Sequence, residues 1–428
     1  MTQHIAFAKI GKSIKFNSKF SCCGGDNEAP AVIKALANNN PDKTFYIVGR
    51  SDCSRLTESE YHAIFPYGNV IDIWNGAVHK TFRDRKDYND PFYHHITDYF
   101  KDRDIKIDYC VMMVGQVGTV TIPGKIEQVR DRSLIASVID MTLNYTSPIS
   151  VWLNETKVPY VEIVNDPRYV MNQSRDIFNL PTLSLGQYDW TYEASTITSY
   201  EDQDRTTRVV KSVYAGMETA FCIGREERDI REIEKTRKFA VILNEGDPSR
   251  YDMLNEWVLK NLEDVEVYGR WEHKYAQPEM DTRFKGSVQL EETQKIMSQT
   301  KYTMIIPIRD GWVTSKYIEM IYAGVLPFFH PSYDKQNHLN IPALLRPQTP
   351  AEMFDTIEKL ERMPEARLML LQTLQRNILK PEYFDGTFMS NTILEACHKS
   401  IVGNDEQYTP TDVSKYKPKT ITSLDDFF

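Results

Sequence analysis

Twice along the chain the same order of patterns recurs: a short apolar run, a polar loop, then an amphipathic helical stretch. That rhythm permits little besides a parallel sheet wrapped in helices. It is clearest in the second half. Strands are expected at Phe239–Leu243, Val265–Tyr268, Tyr302–Ile308 and Val325–Phe329, with helices at Pro248–Leu262, Glu291–Thr300 and Ser315–Ala323 between them. In the first half, strands are expected at His4–Ile10, Thr44–Val48, Lys106–Val114 and Val158–Val164. Helical patterns fall at Ala31–Ala37, near Pro91–Asp102 and from about Glu127 to Asn154. The stretch from Asp166 to Arg208 breaks the rhythm with Pro, Ser, Thr, Tyr and Asp, and reads as loops and the approach to a linker. The charge run Gly224–Lys238 reads as a solvated helix between domains.

A chain of 428 residues exceeds one hydrophobic core. The expectation is two doubly wound α/β domains, 1–208 and 209–400, facing a central cleft, followed by a flexible tail, 401–428. Ligands of such sheets sit beyond the carboxyl ends of the strands, so the loops after Leu243, Tyr268 and Ile308 should line one crevice. Apolar residues make up 41% and charged residues 26%, an ordinary globular balance. The opening MTQHIAFAKIGK lacks the apolar core of a signal peptide, and no run approaches the ~20 apolar residues of a membrane span, so a cytoplasmic protein without a membrane partner is expected. None of the six cysteines is paired at zinc-site spacing, and they read as reduced thiols. A net charge of -9 argues against a nucleic-acid-binding surface over the whole protein but leaves room for a local basic groove.

The segment Pro307–Phe329, PIRDGWVTSKYIEMIYAGVLPFF, is the most chemically loaded. A strand ends, a polar turn follows, and a helix starting near Ser315 aims its N–H groups into the crevice, where a diphosphate would gain from the helix dipole. Thr314 or Ser315 is placed to cap that helix. Lys316 adds a cation, and Glu319, on the same face, offers a carboxylate suited to two ribose hydroxyls. A plain i,i+3 surface pair is the alternative for Lys316 and Glu319.

Strand, polar turn, helix with Glu, then Gly324-Val325-Leu326-Pro327 and an aromatic strand together resemble the donor half of the GT-B glycosyltransferases. Tyr268-Gly269-Arg270-Trp271 is similar to the strand end that delivers a basic residue to the sugar-nucleotide phosphates, with Gly269 allowing close backbone approach. The resemblance implies a GT-B fold and a UDP-sugar donor, the ribose on Glu319 and the diphosphate on Arg270 and Lys316. Many retaining members carry a second Glu eight residues before the ribose Glu; here that residue is Gly311. Asp102-Arg103-Asp104 and Asp202-Gln203-Asp204 lie in hydrophilic stretches, so no metal site is expected and transfer without a metal is the reading.

Transfer to a hydroxyl needs a group to take its proton. The loop Cys23-Gly24-Gly25-Asp26-Asn27-Glu28 offers paired glycines and two carboxylates, with Asp26 the first choice as base, Gly25 and Glu28 as acceptor contacts, and a helix cap as the alternative role. Asn165-Asp166-Pro167-Arg168 offers Asp166 as a second base and Arg168 as a contact, although it is also an ordinary turn sequence. Gly115 in Gly115-Gln116-Val117-Gly118 would shape the same pocket. His94-His95 reads as surface.

The final residues, Ile421 to Phe428, carry too much apolar surface for a free tail, and a short turn puts Leu424, Phe427 and Phe428 on one side. Their spacing resembles sliding-clamp-binding peptides, with Ile421 where Gln is usual; packing on the chain's own domain is the alternative. A clamp partner implies a DNA acceptor, and the combination resembles the DNA-modifying glycosyltransferases of T-even and related phages, which act on 5-hydroxymethylpyrimidines and must take the base out of the stack. The alternatives are a transferase acting on a surface glycan or small molecule, and a non-catalytic clamp-associated binding module.

Overall fold

The computed structural model describes residues 2–10, 14–16, 24–49, 51–73, 91–114, 149, 152–153, 156–164, 175–177, 183–186, 190–197, 205–214, 216–226, 234–246, 248–271, 281–308, 311, 313–335 and 339–402, with the backbone alone at 10, 24–27, 91–95, 114, 164, 175–177, 183–184, 186, 190–197, 205–214, 290 and 399–402. They form two compact units. One contains β1 and Gly25–Met217 and is rejoined by the chain from Thr387; the other contains Glu218–Gly386.

The first unit opens with β1 (His4–Ile10), α1 (Gly24–Asn39), β2 (Thr44–Ile47), α2 (Glu58–Ile64), β3 (Val70–Asp72), α3 (Pro91–Asp102), β4 (Tyr109–Val114) and β5 (Tyr160–Val164). Ile5, Ala6, Phe7 and Ala8 are all fully buried, as a strand covered on both faces requires. Accordingly β1 pairs in parallel with β2 on one side and β4 on the other. On one face Ala6, Ala8, Cys110 and Met112 pack with Phe100 of α3 and Trp152.

Where it is described, the stretch expected to be loops is instead sheet. It holds β6 (Arg175–Ile177), β7 (Leu183–Gly186), β8 (Trp190–Ile197) and β9 (Arg205–Tyr214). They continue the order β3-β2-β1-β4-β5 as β7-β9-β8-β6, with β8 and β9 antiparallel along their length. WTYEASTI and RTTRVVKSVY owe their strands to β-branched Thr and Val and to aromatics, residues that favour the pleated backbone even when the segment is polar.

The second unit contains β10 (Arg237–Ile242), α4 (Pro248–Leu254), β11 (Glu266–Tyr268), β12 (Phe284–Gly286), α5 (Leu290–Ser298), β13 (Thr300–Ile305), α6 (Lys316–Tyr322), β14 (Leu326–Phe329), α7 (Pro350–Arg362) and α8 (Pro364–Ile378). All pairings in its sheet, β12-β11-β10-β13-β14, are parallel. Pro327 lies in β14, where an edge strand tolerates the missing N–H. Val241, Val267, Met304, Ile318, Ile321 and Phe328 lie in one continuous core. The charge run Gly224–Lys238 shows no helix at its described residues, and from Arg237 it is already strand.

The last helix, α9 (Thr387–Val402), belongs to the first unit. Asn40 Nδ2 donates to Ser390 Oγ at 2.8 Å and Thr387 Oγ1 to Asn39 Oδ1 at 3.0 Å, tying it to the end of α1. Residues 403–428, including Leu424, Phe427 and Phe428, lie outside the described residues. Cys53, Cys110, Cys222 and Cys397 are buried and form no disulfide, and burial pushes Cys53 and Cys222 up to about 12. No described helix is long and apolar enough to cross a membrane.

Candidate functional site

In the second unit the order of the strands reverses between β10 and β13, the place where an α/β sheet opens a crevice at its carboxyl end. The loop after β10 and the loop after β13 are stapled together there by Arg250 of α4. Its Nη1 donates to the Asn244 carbonyl at 2.6 Å, and its Nε and Nη2 donate to the Ile306 carbonyl at 3.2 and 2.8 Å. Arg250 is 4% exposed. Leaving those carbonyls without donors costs about 1–3 kcal/mol each, so this arginine fixes the floor of the crevice. The sequence reading did not single it out.

Next to β10 stands β11, and the two loops beyond them are zipped by backbone. Leu243 N–H donates to the Tyr268 carbonyl at 3.1 Å, and Glu245 N–H to the Arg270 carbonyl at 2.8 Å. Arg270 N–H donates to Asn244 Oδ1 at 2.9 Å. Gly269 makes this approach possible: its φ is +121°, and an added Cβ would lie 2.0 Å from the Leu243 carbonyl oxygen. The expected need for glycine here therefore has a specific cause, and Arg270 emerges with an exposed side chain.

On the other side of β10, the turn beyond β13 is shaped by Tyr333, which is fully buried. Its hydroxyl donates to the Thr314 carbonyl at 2.7 Å and accepts from the Thr314 N–H at 2.9 Å. Burial drives its pKa well above the usual tyrosine value, so it stays a hydroxyl. Gly311 has φ +79° and donates its N–H to the Ser332 carbonyl at 2.6 Å. A side chain in that conformation is strained, so where the retaining enzymes place a second Glu, this turn calls for glycine.

Then α6 begins. Ser315 holds the N-cap position but makes no capping hydrogen bond, so the capping role expected of it is corrected. Its backbone is already helical, at φ −62° and ψ −9°, which turns Oγ away from the helix-top N–H groups. Instead Ser315 Oγ reaches Glu319 Oε1 at 3.4 Å. Lys316 Nζ meets Glu319 Oε2 at 2.5 Å, so the i,i+3 pair does form, in a partly buried setting. With seven residues, α6 is a short helix, and side chains rather than its dipole dominate this spot. Ser315, Lys316 and Glu319 are thus brought together. Gly269 and Arg270 stand at the carboxyl end of the same sheet one strand beyond β10, a lateral step of ~10 Å from β13.

The residues expected in the first unit fare differently. Gly25, Asp26 and Glu28 lie in the first turns of α1 rather than in a loop, because the helix already begins at Gly24. Asp26 therefore sits inside the helix and not at its cap; Pro30, four residues on, has no N–H for its carbonyl. Glu28 is partly buried. Gly115, Asp166 and Arg168 lie outside the described residues. Among the described residues no cluster of three His, Cys, Asp or Glu side chains is arranged to hold a metal ion.

No family model and no curated protein matches this sequence. Solved structures do match it in fold. T4 phage β-glucosyltransferase is similar with a TM-score of 0.52 at 13% identity, over 91% of this chain and 99% of that one. The same DNA-modifying enzyme, in a structure determined with and without its substrate uridine diphosphoglucose, gives 0.48 at 12% identity over 94% and 97%. Anabaena Alr3699/HepE in complex with UDP-glucose gives 0.44 at 9% identity over 92% and 99%. The two α/β units, one sheet all parallel and the other parallel but for the β8–β9 pair, with a switch point in each, and their likeness to T4 phage β-glucosyltransferase over nearly its whole length, make this a chain of the GT-B fold.

Proposed function

We propose that the chain is a glycosyltransferase that moves a sugar from a UDP-sugar onto the hydroxymethyl group of a modified pyrimidine in DNA. The observation that carries the reading is the pairing of Glu319 with Lys316 beyond β13, in a sheet of the β-glucosyltransferase fold whose neighbouring loop presents Arg270. In this reading Glu319 accepts hydrogen bonds from the ribose, and Lys316 and Arg270 neutralise the diphosphate as the bond from the anomeric carbon to it breaks. The acceptor oxygen forms the new bond to that carbon and gives its proton to Asp26 or Asp166, with Gly25, Glu28, Gly115 and Arg168 around the acceptor. Thr314, Ser315 and Gly269 shape the donor pocket by their backbone, and no metal is required.

The DNA acceptor is supported by the terminal peptide, in which Leu424, Phe427 and Phe428 are proposed to dock on a sliding clamp in the cytoplasm, the host's if the chain is phage-encoded. Such a tether raises the local concentration of an acidic protein on a polyanion. Incubation with hydroxymethylated DNA and a panel of UDP-sugars, followed by digestion and mass analysis, should find a hexose or pentose on the hydroxymethylpyrimidine nucleoside. Transfer only to a glycan or small molecule, or no transfer at all, defeats the DNA proposal. Deleting residues 424–428 should weaken clamp binding and spare turnover on short free DNA; unchanged clamp affinity refutes the docking role.

A further inference from the structure

Asn244 stands beyond the carboxyl end of β10, the central strand of the second unit's sheet, and both flanking loops hold it in place. On the side of β11, Arg270 N–H donates to Asn244 Oδ1 at 2.9 Å. On the side of β13, Arg250 Nη1 donates to the Asn244 carbonyl at 2.6 Å while Nη2 of the same guanidinium holds the Ile306 carbonyl at 2.8 Å. The next residue, Glu245, donates its N–H to the Arg270 carbonyl at 2.8 Å, so the backbone that carries this side chain is fixed as well.

The atom that takes a backbone N–H must be the amide oxygen, and this settles the orientation of the amide: its –NH2 group is turned away from the Arg270 N–H. Among the described residues Nδ2 has no hydrogen-bond partner, and Asn244 is exposed where the strand order reverses. A brace for Arg270 alone would serve equally well as aspartate, which has the same shape and a stronger acceptor. What asparagine adds is two donors, held rigid next to the exposed Arg270. Donors preorganised at the switch point of an α/β sheet fit a ligand that offers acceptors only, and a diphosphate is such a ligand.

We propose that Asn244 is a diphosphate-binding residue, its Nδ2 donating to a phosphate oxygen of the nucleotide alongside Arg270 and Lys316. The inference rests on the donor reading proposed above. Its test compares the affinity of the full chain for UDP, measured by calorimetry, with that for uridine, measured by NMR titration. The wild type should favour UDP about a hundredfold or more. Asn244→Asp keeps an acceptor for the Arg270 N–H and turns the donors into a negative oxygen. It should weaken UDP about tenfold or more and change uridine affinity by less than about twofold. Arg270→Ala should also lower the UDP-to-uridine ratio, and adding Asn244→Asp to it should cost a further fivefold or so. That second loss separates a missing donor from an aspartate that captures the Arg270 guanidinium. If Asn244→Asp keeps the wild-type ratio, or adds nothing in the Arg270→Ala background, the role of Asn244 is overturned, while the donor reading stands on the loss caused by Arg270→Ala. A wild type without preference for UDP, or a ratio that survives Arg270→Ala and Lys316→Ala together, overturns both. Should Asn244→Asp fail to fold, Asn244→Ala is judged by the same ratio, and an unchanged value overturns the role.

Discussion

Gly269→Ala should unfold the second unit at a markedly lower temperature and abolish nucleotide binding. The new methyl group would lie 2.0 Å from the Leu243 carbonyl oxygen and 2.7 Å from its carbon, both backbone atoms of the adjacent strand's exit. Neither is the end of a flexible side chain, so the two loops must part. Parting them breaks the bonds from Leu243 to Tyr268, from Glu245 to Arg270 and from Arg270 to Asn244. Backbone strain at φ +121° adds ~1–3 kcal/mol, and the lost hydrogen bonds about 1 kcal/mol each. Together the cost is about 4 kcal/mol or more, which should lower the transition of that unit by about 10 °C in a calorimetric scan. A midpoint within two or three degrees of the wild type would mean that the loops are not locked as described.

Glu319→Gln should behave in the opposite way, losing function and keeping stability. Its ion pair with Lys316 is partly exposed, of the kind worth about 0–1 kcal/mol, so the melting temperature should move by no more than about 2 °C. Donor affinity should fall about 10–100-fold, because the amide no longer offers two charged acceptors to the ribose. The two possible roles of this residue are thereby separated. A variant that melts much earlier but binds UDP unchanged would make Glu319 a structural partner of Lys316 and nothing more.

Much of the second unit was legible in the sequence because its strands are short, apolar and β-branched, and because each is followed by a loop and a helical pattern. β14 falls within the expected run, β13 begins two residues before the expected Tyr302, and α6 begins one residue after the expected start at Ser315. The first unit's β6 to β9 were not legible. Their residues are polar, and a Thr-rich segment reads equally as loop until its pairing partner is known. α1 was read short because Gly24-Gly25 and Pro30 are helix breakers in isolation, and tertiary packing of Val32, Ile33 and Leu36 overrides them.

The candidate site divides along the same line. Gly269, Arg270, Lys316 and Glu319 follow strand ends, where position in the pattern marks them. Arg250, Tyr333 and Arg225 act through contacts that the sequence pattern does not mark: Arg250 on Ile306, Tyr333 on Thr314, Arg225 against the Phe221 and Tyr322 rings. Arg225 is one charged residue in the run that starts at Gly224, and nothing in that run distinguishes it from its solvated neighbours. The stack on Phe221 becomes visible only in three dimensions.

Crystals of the full chain soaked with a UDP-sugar offer the most direct test of the nucleotide's place. The account predicts the diphosphate over the carboxyl ends of β10, β11 and β13, and ribose hydroxyls within about 3 Å of the Glu319 carboxylate. A nucleotide bound elsewhere, or a Glu319 that stays on Lys316 without touching the ligand, would contradict it.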